Sequence, residues 1–269
     1  MLETMINTKN IIAAITALAL SHVSAAEKAD ADGFTPLFDG KSLKGWAAAK
    51  SKGNGDWGAF SVNEKEKAIH VYAGEKDGSK QISDCLNSEV EFSHFILKVE
   101  YKWMGPRFAP RADWDRDAGL LFHVHGDLKK VWPRCIEMQI GESDVSKSGR
   151  NRFHSGDLFV LGHGLRAKTP RIDKSYSKDG KMVTGRGCPT QLGKEKAFGE
   201  WNQMEIHVHG SEKATFILNG EKVLEVFDME NKDKDGKVTP LTKGRIGLQA
   251  EWAEILYRNI VIKEIPKEK

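Results

Sequence analysis

The chain has 269 residues, 29% of them charged, with a net charge of +3 and a hydrophobic fraction of 39%. That length suits one large domain or two small ones. The near balance of charge, with no block of one sign, excludes a nucleic-acid-binding arm or an anionic-membrane patch. At the start, Lys9 precedes an apolar run from Ile11 to Leu20, and Ala25 and Ala26 follow. This is the pattern of a signal peptide over residues 1–25. The run is too short to span a bilayer, so the mature chain is expected to lack a membrane span and to be exported, periplasmic or secreted. Cys85, Cys135 and Cys188 leave at least one thiol unpaired. Export permits a Cys135–Cys188 bond, and three buried thiols are the alternative.

In residues 33–46 the apolar Phe34, Leu37, Phe38, Leu43 and Trp46 surround an Asp39-Gly40 turn. Residues 57–72 read as a hairpin, and 95–101 alternate as a strand. Residues 105–117 are irregular; Asp113, Asp115 and Asp117 suit either calcium or a solvated loop. Next come two strands. In the first, Leu120, Phe122 and Val124 alternate with Leu121, His123 and His125. In the second, Ile136, Met138 and Ile140 alternate with Cys135, Glu137 and Gln139. Residues 142–200 lack sustained alternation but hold Phe153, Leu158, Phe159, Val160 and Leu161, which is more apolar than a disordered segment needs. They are expected to form a lid carrying His163. In residues 200–226 a second His-x-His pair, His207 and His209, reads as an exposed face, and Asn219-Gly220 as a hairpin turn. Residues 231–236 imitate the start of a calcium loop but read as a charged turn. Finally, Ile246 and Leu248 oppose Gln249 and Glu251. Many short strands, turn signals and few helical periods predict an all-β chain, an antiparallel sandwich over residues 33–265.

Successive side chains of a strand leave on opposite faces. If the two central strands pair with like faces aligned, His123, His125, Glu137 and Gln139 share one surface. Such a cluster suits acid–base work or metal ligation. A face that simply meets water is the plainer alternative.

The opening Gly-Phe and Leu-Phe-Asp-Gly-Lys-Ser-Leu-Lys-Gly-Trp, the Glu-Trp-Asn at 200–202, Gly247-Leu248-Gln249 and Tyr257-Arg258-Asn259-Ile260 together resemble the 3-keto-disaccharide hydrolase domain family. Asp117-Ala118-Gly119 stands where members commonly have Asn-Ser-Gly, and no His-Gly pair occurs near residues 250–252. The resemblance implies a jelly roll of the concanavalin A-like lectin/glucanase type, with the ligand on a concave sheet. It puts Glu137 and Gln139 on that face, joined by Gln249, Glu251, His123 and His125.

The implied activity is cleavage of 3-keto-glycosides or disaccharides by removal of the acidic C2 proton, then elimination, with or without rehydration. Glu137 or His123 is the expected base. Arg134, Arg258 or a divalent metal ion would stabilise the enolate; His163 or Glu251 would protonate the leaving group. His125, Glu137 and Gln139 are the expected holders of such a metal, although an amide is a weak ligand for zinc. Trp132 and Trp252 would stack on sugar faces. The expected partner is therefore a carbohydrate. A non-catalytic lectin-like module is the alternative. An ordinary glycoside hydrolase fits less well, because it needs two carboxylates and the central strand offers Glu137 but then Gln139.

Overall fold

The structure, a computed structural model, describes residues 29–52, 56–142, 153–169, 181–188 and 195–267. The expected signal segment lies outside them. Period-two patterning builds the larger of two antiparallel sheets. The strand His94–Arg107 buries Phe95, Leu97, Val99, Tyr101 and Trp103 and leaves the residues between them partly exposed. Asn202–His209 and Lys213–Leu218 alternate in the same way. One face of this sheet therefore meets the core and the other meets water. The sheets hold eleven and seven strands among the described residues, which contain no helix. The expected antiparallel sandwich is the fold that forms.

The seven-stranded sheet runs in the order Gly185–Cys188, Leu158–Leu161, Arg134–Gly141, Asp117–His125, Gly244–Ala250, Asp84–Phe92 and Trp46–Ala48. Its inner face adds Leu86, Leu120, Phe122, Ile136, Met138, Ile140, Ile246 and Leu248 to the core. Its outer face is also buried along the central strands, so Arg134–Gly141 has almost no exposed residue. In the larger sheet, Ala253–Glu264 lies between His94–Arg107 and Ala68–Val71. Part of the segment expected to be a lid is sheet instead. Leu158–Leu161 and Gly185–Cys188 extend one sheet, Leu165–Thr169 and Lys181–Val183 the other. Leu158 and Val160 have core positions, which accounts for the apolar content of that segment; the rest of it lies partly outside the described residues.

The opening motif is structural. Asp39 closes its turn by accepting from the backbone N of Lys41 (2.8 Å) and of Ser42 (2.7 Å). Trp46 is 1% exposed and donates to the Leu37 carbonyl at 2.7 Å. Cys85 and Cys135 are buried free thiols, so the Cys135–Cys188 bond is not made.

His123 departs from simple alternation. The pairing with Arg134–Gly141 shifts register between Phe122 and His125, and His123 has φ +52°. A bulge inserts one residue and re-aims the side chains beyond it. Val124 therefore joins Leu121, Cys85 and Cys135 on the outer face. His123 turns away, its ring 5.2 Å from Phe122 and 6.4 Å from Phe95, its Nε2 donating to the Gly210 carbonyl at 2.8 Å. Burial pushes its pKa down from 6.5 to about 4. Between those values the unfolded chain binds a proton that the folded chain refuses. Stability from this group is therefore present above pH 6.5 and is lost as pH falls toward 4, by on the order of 3 kcal/mol. His123→Phe is expected to flatten that loss, read as urea midpoints at the two ends of the range; equal pH slopes would refute it.

Candidate active site

The outer face of the seven-stranded sheet carries the candidate chemistry. Glu137 is 3% exposed and Gln249 1%. They stand on the strands either side of Asp117–His125 and lean over it at Gly119. A Cβ on Gly119 would lie 2.3 Å from Gln249 Oε1 and 2.4 Å from Glu137 Oε1. Only a glycine lets the two tips meet there.

Burial, then Glu251 and Asp117 nearby, push the Glu137 carboxyl well above its ordinary 4.5. The Gln249 amide lies against that carboxyl and favours its ionised form. It does so without hydrogen-bond geometry, since neither amide atom has a hydrogen-bond partner among the described residues. Glu137 makes no ion pair among them. A carboxyl whose proton is held this firmly is a strong base once ionised.

Around this pair the loops supply a charged and aromatic wall. Arg111 Nη1 donates to Glu251 Oε2 (2.8 Å) and Asp117 Oδ2 (3.1 Å). Its guanidinium carbon sits 4.5 Å from the Trp252 ring and 4.8 Å from Trp114, distances at which cation–π attraction operates. Trp252 is fixed in turn by donating to the Gln81 carbonyl at 2.8 Å. Trp132, 45% exposed, donates its indole N–H to Glu251 Oε1 at 2.6 Å and lies 6.2 Å from the Trp252 ring. On the other flank, Phe159 is the strand partner of Glu137 and packs edge-on against Phe153 at 5.0 Å.

Glu137, Gln249, Glu251, Trp132 and Trp252 are thus brought together. Five other expected site residues lie elsewhere. His123 faces the sandwich interior. His125 donates to the His123 carbonyl at 2.8 Å and stands opposite Arg134, at the far end of the strand from Gly141. His163 is exposed in a loop and gives only its carbonyl to Arg134, at 3.0 Å; Arg134 also bonds Asn231. Arg258 lies on the outer face of the other sheet, bonded to Glu100 at 2.8 Å and 3.7 Å over Trp201. Gln139 is on the right face, but its amide N already donates to Asp117, to the Ala118 carbonyl (2.8 Å) and to the Ile140 carbonyl (3.2 Å). The metal set proposed from sequence does not fit, because His125 is turned to its own backbone and Gln139 presents a donor. Among the described residues no group of three His, Cys, Asp or Glu could hold a metal ion. Arg111 and Trp114 had no signal in the sequence; Phe159 stood out only for its apolar character, and Asp117 only as one of three alternating acids.

A family profile described as the 3-keto-alpha-glucoside-1,2-lyase-like domain matches residues 33–263. The chain belongs to that family. In this 3-keto-alpha-glucoside-1,2-lyase-like chain, the Glu137–Gln249 pair sits on the outer face of the seven-stranded sheet. None of the curated proteins matches the chain. Among solved structures it is similar to a presumed glycosyl hydrolase of Parabacteroides distasonis, at 19% identity and TM-score 0.53 over 88% of this chain and 95% of that one. A second from the same organism matches at 22% identity and TM-score 0.47, over 82% and 99%. A carbohydrate binding module of Bacillus subtilis matches at 11% and 0.44, over 82% and 96%. At such identities the likeness is one of fold alone.

Proposed function

We propose that the protein, exported on its N-terminal signal pattern, cleaves the glycosidic bond of 3-keto-glycosides by elimination. The observation that carries this reading is Glu137, one carboxyl held above its usual range, with no ion-pair partner among the described residues, beside an amide whose donor is unspent among them. In a 3-keto sugar the C2 hydrogen is acidic. Glu137 takes that proton, and the C–H electron pair becomes the C2–C3 enolate. Gln249 Nε2 is free to donate to the C3 oxygen as charge develops there. The enolate then collapses, the C1–O bond breaks and its electron pair leaves with the aglycone. Glu251 already accepts at both oxygens, from Arg111 and Trp132, so it is committed to holding those two groups. Glu137, now protonated, passes its proton to the departing oxygen. Water adding across the new double bond yields the free keto sugar.

Ordinary hydrolysis is the second reading, because Asp117 and Glu251 supply acids that the central strand lacks. Both are tied to Arg111, however, which suits them to holding charge rather than attacking C1. The test is release of p-nitrophenol from p-nitrophenyl 3-keto-glucoside and from the unoxidised glucoside. Release from the keto substrate alone is expected. Equal rates on both would favour the ordinary hydrolase. No release, with a sugar-dependent rise in melting temperature, would favour a binding module.

A further inference from the structure

The connection 126–133 joins two neighbouring strands of the site sheet, yet it does not turn away from the face. Arg134 begins an 8-residue strand, about 25 Å long at ~3.3 Å per residue. Its start pairs with His125 and its end, Gly141, with Asp117. Glu251 belongs to the Asp117 end, where Arg111 bonds both acids. Trp132, two residues before Arg134, nevertheless hydrogen-bonds Glu251 at 2.6 Å. The chain before Arg134 is therefore folded back over the outer face, past Glu137.

Leu128, in the same connection, packs on the apolar patch of Cys85, Leu121, Val124 and Cys135, all of them 0% exposed. This covering explains why the face is buried although it is turned away from the core. Val131 and Pro133 are buried as well, so the attachment is mainly apolar. The other side-chain and turn hydrogen bonds of 126–133 are internal, from Lys129 N and Lys130 N to Asp127. Lys129 and Lys130 face solvent, and Trp132 is partly exposed. Gly126, with φ +81°, supplies a hinge that other residues reach with strain.

We propose that 126–133 is a strap that opens and closes over Glu137, latched by the Trp132–Glu251 hydrogen bond, and that the leaving group enters by taking the place of the indole. What enters rests on the function proposed above; the opening of the strap does not. Trp132 is then a positioning residue that holds Glu251 and covers the base between turnovers.

The buried thiols report strap opening without any substrate. In a Cys188→Ser background, iodoacetamide labelling of Cys85 and Cys135 is followed in native buffer beside the urea midpoint. Trp132→Phe keeps a ring but loses the N–H, and is expected to speed labelling roughly tenfold, the worth of one hydrogen bond to a charged group, with labelling in both proteins far faster than the unfolded fraction from urea denaturation allows. Leu128→Ala, which removes the apolar plug, is expected to speed it as well. Unchanged labelling in both variants overturns the strap. So does labelling no faster than that unfolded fraction allows, because the thiols are then reached by global unfolding. A failed glycoside assay beside fast labelling would count against the proposed function and leave the strap standing.

Discussion

Glu137→Gln is expected to lower the rate of aglycone release from a 3-keto-glucoside by roughly two to four orders of magnitude, the usual worth of a positioned base. It is expected at the same time to raise resistance to urea at neutral pH. Below the ordinary 4.5 the carboxyl is neutral both folded and unfolded, so it costs nothing. As pH rises past 4.5 the unfolded chain releases the proton while the folded chain keeps it. Stability then falls until pH reaches the raised folded value, and stays lower above it. Glutamine has the same shape and no such penalty. Variant and parent should therefore match near pH 4 and diverge as pH climbs, with the variant the more stable. A variant that keeps its turnover removes Glu137 from the chemistry; one that loses turnover and stability together marks it as structural.

Arg111→Met is expected to destabilise the fold by about 3 kcal/mol, the lower end for removing one partner of a buried ion pair. The lower end applies because the Arg111 side chain is 23% exposed, whereas Asp117 and Glu251 are each 7% exposed. Without the guanidinium, two anions stand beside Glu137 with no cation between them, and the Trp114–Trp252 slot loses its filling. Adding Glu251→Gln to Arg111→Met removes one of the stranded charges and should recover part of the loss. The double variant would then be more stable than the sum of the single changes. Strict additivity in urea denaturation would show that the three groups do not act as a unit.

The strands were legible because burial writes itself into the chain at period two. Ile136, Met138 and Ile140 on one strand and Ile246 and Leu248 on another announced an inner face, and so also announced Glu137, Gln249 and Glu251 on the other. Trp132 and Trp252 were legible as aromatic residues beside those faces. His123 was misplaced because alternation assumes an unbroken ladder. One inserted residue reverses every later side chain, and nothing local marks the bulge before His125. Arg111 lies in an irregular stretch and reaches its acids only through the folded chain, 140 positions from Glu251. Its role is a property of tertiary placement, as is that of Phe159. Arg134 and Arg258 had the right charge, but each was already committed, to Asn231 and the His163 carbonyl in one case and to Glu100 and Trp201 in the other.

Residues 244–264 supply an interior strand to each sheet, Gly244–Ala250 in one and Ala253–Glu264 in the other. A growing chain on the ribosome cannot close either layer until these residues have emerged. Up to that moment the hairpins made earlier have a gap at the middle of both halves. Closure of both layers therefore waits for this one segment, with the slow search typical of pairings between distant segments.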